Sequence, residues 1–134
     1  MGKSTYYKNL FFIAGLWNIV LAVPAWIGMI FQPEFASGIF GMTPPAILFP
    51  YHAMFWLIIS FGVGYLIVSR DITKNHGIVV IGILGKTLYF IDCVITLAMK
   101  QANVVLLLIG MGDLIFACLF LEFLHTIGKE QQNK

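Results

Sequence analysis

The chain has 134 residues, 60% of them hydrophobic and 10% charged, with a mean hydropathy of +0.91. A soluble domain of this length cannot hide that much apolar surface, so lipid is the expected solvent. The formal net charge of +2 is too small for a nucleic-acid-binding protein, because that binding rests on many Lys and Arg side chains neutralising phosphates.

Four stretches supply the roughly 20 apolar residues that a helix needs to cross a bilayer: residues 10–31, 46–69, 77–99 and 104–125. They take up most of the chain and predict one all-α domain, an integral membrane antiparallel four-helix bundle. The cations set its orientation. Lys3 and Lys8 precede the first span, Arg70 and Lys74 separate the second from the third, and Lys129 and Lys134 follow the fourth. The opposite side carries only Lys100. Cytoplasmic segments hold the excess of Lys and Arg, so both termini and the middle loop are expected in the cytoplasm. The same bias argues against a dual-topology protein.

Residues 1–9 read as a polar lead-in, with Tyr6 and Tyr7 at the interface. The apolar run that follows is too long for a signal-peptide core, and Pro24 suits a cleavage site poorly. The expectation is an uncleaved first helix. Its one polar residue at depth, Asn18, shares a face with Ala14, Ala22 and Ala25, the kind of small-residue seam on which helices pack in lipid. Pro24 is expected to kink the outer half. Residues 32–46, QPEFASGIFGMTPPA, form the only long loop. Phe35, Ile39, Phe40 and Met42 make it partly apolar, which predicts a short interfacial turn folded onto the bundle mouth. It is either an anchored connector or a lid over a cavity.

The second span begins after Pro45, and Pro50 is tolerated near a helix start. Ala53, Trp56, Ser60 and Gly64 fall on one stripe and read as a second seam. His52 lies about 9 Å in from the outer surface at 1.5 Å per residue. Its chemistry suits proton transfer or haem ligation. His76 and His125 lie toward the other side, so it has no axial mate at matching depth, and a hydrogen bond between helices is the simpler role. In the turn that follows, Thr73 or Asn75 is placed to cap the next helix. The charges there are solvated and offer at most a contact to anionic headgroups.

The third span, GIVVIGILGKTLYFIDCVITLAM, carries Lys86 and Asp92 at bilayer depth. On a helix of about 100° per residue, Gly82, Gly85, Tyr89, Asp92, Cys93 and Thr96 fall within roughly 120° on one side of Lys86. The rest of the circle is apolar apart from Thr87, whose hydroxyl can bond its own helix. A very short turn at 101–103 leads to the fourth span, where Gly110, Asp113 and Ala117 share one face. Glu122 and His125 lie near the cytoplasmic end and can snorkel to water. Cys93 and Cys118 sit on different spans without CxxC spacing and read as small core residues.

Lys86, Asp92 and Asp113 are the informative residues. An ionised side chain at mid-bilayer costs about 3 kcal/mol or more, so three of them facing lipid is untenable. Mutual satisfaction is the expected solution: Lys86 pairs with Asp113 across the last two helices, with Tyr89 and Asn18 beside it, and glycines 82, 85, 110 and 112 let the backbones approach. One lysine against two acids leaves a surplus carboxyl, which burial favours in its neutral form. Such a group either carries a proton or holds a polar ligand group, or it serves only to fix helix register. No HExxH, Walker A or GxSxG motif and no close-spaced His/Cys metal set is present.

Asn18, Pro24, the Pro/Gly-rich outer loop, Gly64-Tyr65, Arg70-Asp71, Gly85-Lys86 and Gly112-Asp113 together resemble the DoxX-like family of small four-helix bacterial membrane proteins. The resemblance covers the layout of nearly the whole chain through short motifs. It implies a multi-pass protein of the bacterial inner (plasma) membrane and, for some members, quinone- or thiol-linked redox partners. The cysteine motif of vitamin K reductase-like bundles is missing, and no catalytic residue carries over. The leading expectation is a non-catalytic or accessory protein that binds an apolar small molecule, lipid or quinone against Lys86, Asp92, Asp113, Asn18, Tyr89 and His52. The alternatives are an oligomeric proton-coupled carrier or channel and a structural subunit of a larger membrane complex. The expected partners are the lipid bilayer and either further copies of the chain or the other subunits of a membrane complex.

Overall fold

The computed structural model describes residues 2–132; Lys134, counted above among the cations, lies outside them. The described residues are helical with no strand. The elements are α1 (Lys3–Phe31), α2 (Pro33–Ile39), α3 (Phe49–Arg70), α4 (His76–Ala98) and α5 (Val104–Gln132). All but α2 are long and apolar enough to cross a membrane, the mark of a multi-pass membrane protein.

The helix bounds differ from the expected spans in instructive ways. α1 begins at Lys3 instead of residue 10, because neither Pro nor Gly interrupts the chain between Lys3 and Ala14. The polar lead-in is therefore helical. Tyr7 is buried within the bundle: it packs edge-on against Phe123 at 5.1 Å and hydrogen-bonds Glu122 and Thr126. α1 continues through Pro24 to Phe31. The outer loop holds a helix of its own, α2, with Pro33 in its first turn, where the missing N–H costs nothing. α3 starts at Phe49, not 46, with Pro50 in its first turn. α5 runs beyond residue 125 to Gln132. Asn75 precedes α4 in the left-handed region, φ 62°, and makes no capping bond. Thr73 is engaged instead with Asp71, through its amide at 3.1 Å and its hydroxyl at 2.6 Å.

α1 packs chiefly on α3, and α4 on α5, with a lighter contact between α3 and α4. The α1–α3 contact is tightest at Gly15 and Gly62. A Cβ on Gly15 would stand 2.8 Å from the Gly62 carbonyl oxygen, and one on Gly62 would stand 3.0 Å from that of Gly15. This seam is not the stripe expected on α3. Trp56 and Ser60 are exposed, and the Ser60 hydroxyl donates to the Trp56 carbonyl of its own helix at 2.8 Å, which removes its need for a partner. Of that stripe, Gly64 meets α4 at Ile78, and Trp56 packs its ring on Trp26 of α1 with centroids 4.8 Å apart.

The end that carries the start of α1, the finish of α5 and the α3–α4 turn is filled by aromatic rings. Phe11 packs on Phe120 and Phe123, both at 4.8 Å, and Phe120 on Tyr65 at 5.0 Å. Val68, Val79 and Leu10 complete this core. The other end is joined across the two helix pairs by Asn103. Its amide donates to the Phe40 carbonyl at 2.7 Å, its side-chain Nδ2 donates to the Ile39 carbonyl at 2.9 Å, and its Oδ1 accepts from the Val105 amide at the start of α5. Gly41 passes this point at φ +67°, a conformation that glycine adopts without strain.

Candidate functional site

Lys86 sits on the inward face of α4 because its neighbours along the helix at the same angle, Gly82 and Cys93, are also turned in and buried. It is itself only 4% exposed. Its ammonium forms an ion pair with Asp113 of α5 and donates to Asn18 Oδ1 of α1 at 3.0 Å. The Asn18 amide then donates from Nδ2 to the Ile58 carbonyl of α3 at 3.2 Å. One polar chain thus links all four long helices at mid-length. The rings of Phe116 and Tyr65 stand 5.3 and 5.5 Å from Lys86 Nζ, close enough for cation–π attraction.

The glycines work differently from the expectation that they bring backbones together. Gly82 makes room for the Tyr65 ring, Gly110 for Cys93, and Gly112 for the Trp17 indole, each of which would lie within 3.0 Å of an added Cβ. Gly85 is looser, with nothing nearer than Phe61 at 3.8 Å. Small residues on α4 and α5 therefore seat large side chains around Lys86. Tyr65, Phe116 and Trp17 are members of the site that the sequence reading passed over. The signal was available: large aromatics one or two turns from glycines on facing helices.

Beyond this polar chain, toward α2, the helix pairs enclose a cavity of about 560 Å³. Lys86, Asp113 and Asn18 form its inner end, and Phe40, Met42 and Ser37 of the α2 segment lie at the other. Its wall is mostly apolar and is contributed by every helix. The α2 segment therefore borders the cavity through Ser37, Phe40 and Met42.

The six residues proposed from sequence divide into three groups. Lys86, Asp113 and Asn18 are in direct contact. Tyr89 and Asp92 line the same cavity but make no bond to Lys86. Asp92 is exposed within its own chain, and among the described residues the ion pairs are Lys86–Asp113 and Lys74–Asp71, neither of which includes it. His52 does not line the cavity. It lies against Trp26, ring centroids 6.3 Å apart, with its Nε2 buried and unbonded by any described residue. The helical wheel placed it only to within a broad sector; in the structure it stands beside Trp26, which packs on Trp56 at 4.8 Å and whose Nε1 is likewise buried and unbonded by any described residue. Cys93 is buried beside Gly110, whereas Cys118 is exposed on the outer face instead of in the core. Among the described residues, no three His, Cys, Asp or Glu side chains converge as metal ligands would.

At the exposed α3–α4 turn, the hydroxyl of Thr73 and the ammonium of Lys74 hold the Asp71 carboxyl down to about 2. These charges lie apart from the cavity and stabilise only the turn. No family model matches the chain, and no curated protein or solved structure matches it either.

Proposed function

We propose that this is an accessory membrane protein that binds an apolar small molecule, a lipid or a quinone among the options, between its two helix pairs. The observation that carries this reading is the 560 Å³ cavity closed at its inner end by Lys86, Asp113 and Asn18. A volume of some 300–1,000 Å³ with apolar walls and a few converging polar groups is the usual form of a small-molecule site. Lys86 has three N–H donors and directs two of them at protein acceptors, which leaves one for a ligand oxygen.

The membrane setting belongs to the same proposal. Lys86 beside Asp113 and Cys93 beside Gly110 on one pair, with Gly15 beside Gly62 and Asn18 beside Ile58 on the other, support an antiparallel bundle. Lys3, Lys8, Arg70, Lys74 and Lys129 gather at the aromatic end, and Lys100 at the other. That bias supports a cytoplasmic aromatic end and a cavity facing the outer leaflet. The DoxX-like resemblance supports a bacterial inner membrane. A carrier or channel has less support, because fully buried Phe11, Phe120 and Phe123 fill the bundle between Lys86 and the cytoplasmic end. A purely structural subunit has no use for the cavity.

Native mass spectrometry of the protein released from mild detergent tests the proposal and reports stoichiometry at once. An added mass retained by the wild type and lost from Ala53→Trp, which fills the cavity wall, is the expected result. No retained mass, or one unchanged in Ala53→Trp, overturns it.

A further inference from the structure

The charges that line the cavity do not balance. Lys86 faces two carboxylates, Asp113 and Asp92. Asp113 takes the ion pair, and Asn18 takes a second hydrogen from the same ammonium. Asp92 is on the cavity wall, one and two-thirds turns further along α4, about 9 Å at 1.5 Å per residue. No ion pair or hydrogen bond from a described residue reaches it. It is exposed within its own chain, so a ligand head can reach it, and no lysine or arginine other than Lys86 lines the cavity. Aromatic residues contribute to the same lining: Trp17, Tyr51, Phe55 and Tyr89. Aromatic rings attract a desolvated cation.

From this imbalance we infer that the cavity takes an amphiphile with a single cationic group, an aliphatic amine on an apolar body, with Asp92 as its counter-ion. The inference rests on the cavity being a ligand site and goes further by naming the ligand's charge. An ammonium at Asp92 makes a charge-assisted hydrogen bond and brings the lining to neutrality. An anionic head would face two carboxylates and a lysine already paired. A neutral head gains no charge-assisted bond at Asp92. The apolar body then fills the space between α3 and α4 toward Phe55 and Leu57.

Three probes of equal chain length separate these cases: dodecylammonium, dodecanol and dodecanoate, titrated into purified protein in an uncharged maltoside detergent and read by native mass spectrometry. The expected result is dodecylammonium binding at least tenfold tighter than dodecanol, with dodecanoate weakest. In Asp92→Asn the amine should fall to the level of the alcohol, while the alcohol itself is unchanged. Partition of the probes into micelles is the same for both proteins and cancels in that comparison. If Asp92→Asn does not fold, the wild-type ranking decides. Equal binding of all three, or a preference for dodecanol or dodecanoate, overturns the assignment of charge and leaves the cavity reading standing. Binding of none overturns both.

Discussion

Between Tyr7 and Lys86 the four long helices close on continuous aromatic packing; between Lys86 and Asn103 the same helices stand around a cavity of about 560 Å³. Side-chain size accounts for the difference. The first half turns Phe11, Tyr65, Phe120 and Phe123 inward, all but fully buried. The second turns Ala22, Ala25, Ala53 and Thr96 toward the same axis. Rings that meet at the axis fill the space between the helices in the first half; in the second, these small residues stand between the rings that line the wall and leave room. The aromatic half is held by close packing, which in lipid is the main force between helices. The cavity half has a smaller core, Ala22, Met29, Ala36 and Phe55 between α1, α2 and α3, and is tied at its two ends by the Lys86–Asp113–Asn18 chain below and by Asn103 above. The larger core lies in the first half and the space for a ligand in the second.

Truncation inside the aromatic half is the strongest way to break this contrast. Phe120 touches Phe11 and Tyr65 and is fully buried, so Phe120→Ala should cost about 3–5 kcal/mol. Leu106 lies on the cavity wall, where atoms already lack neighbours on one side, and Leu106→Ala should cost less than about 1 kcal/mol. Reversible unfolding in detergent compares the two. Equal losses would mean that the halves are packed alike. Next in size is the junction between them. Lys86→Met leaves Asp113 and Asn18 without their shared donor and should cost about 3 kcal/mol. Lys100→Met, in the exposed α4–α5 turn, should stay within about 0.5 kcal/mol. Asp113→Asn should fall between the two, because its amide oxygen still accepts from Lys86. Equal thermal stability of the Lys86 and Lys100 variants would show that the ammonium holds nothing together.

Hydropathy made the four long helices legible, since few chains sustain such apolar runs for any other reason. The inward face of α4 was legible too: Gly82, Lys86 and Cys93 are buried, and Lys86 and Cys93 line the cavity together with Gly85, Tyr89, Asp92 and Thr96. What the helical wheel lacked was which of these residues touch another helix and which only border the cavity. A sector of about 120° faces both a neighbouring helix and the space beside it; the pairing of Lys86 with Asp113 came from depth along the α4–α5 hairpin and not from the wheel. The Ser60 stripe misled because a hydroxyl in a helix can satisfy itself on the preceding turn, so that polarity at depth does not identify a contact face. On α1 the predicted face through Ala14, Asn18 and Ala22 is buried, and Asn18 bonds α3; the facing positions on α3, with Gly62 against Gly15, were not the stripe expected there. α2 was hidden by its length: its seven residues include a proline and a glycine, too few for periodicity to register. His52 shows the same limit, because its neighbours Trp26 and Trp56 are set by how α1 and α3 cross and not by spacing within either helix.

Smaller perturbations at the two ends sharpen the comparison. Asn103→Asp keeps the oxygen that accepts from Val105 and removes the donor to Ile39. The lost hydrogen bond is worth about 1 kcal/mol, and its effect should be local. Amide exchange should quicken across residues 38–42 and remain unchanged around Phe120. Protection lost at both places would mean that the ends unfold as one unit.

The least effect is expected at the α3–α4 turn. Thr73, and after it Lys74, lowers the Asp71 carboxyl to about 2, from an ordinary value near 4. A group depressed in the folded state adds stability above its unfolded value and loses it as pH falls through the folded one. The bonds to Thr73 should therefore persist through mild acid and give way only near pH 2. Asp71 is open to water, so salt and solvent screen the interaction. Thr73→Ala should return the Asp71 midpoint most of the way to its ordinary value in an NMR titration, while the unfolding temperature of the bundle stays the same. A large fall in that temperature would place structural weight on the turn, which the aromatic core beneath it makes unnecessary.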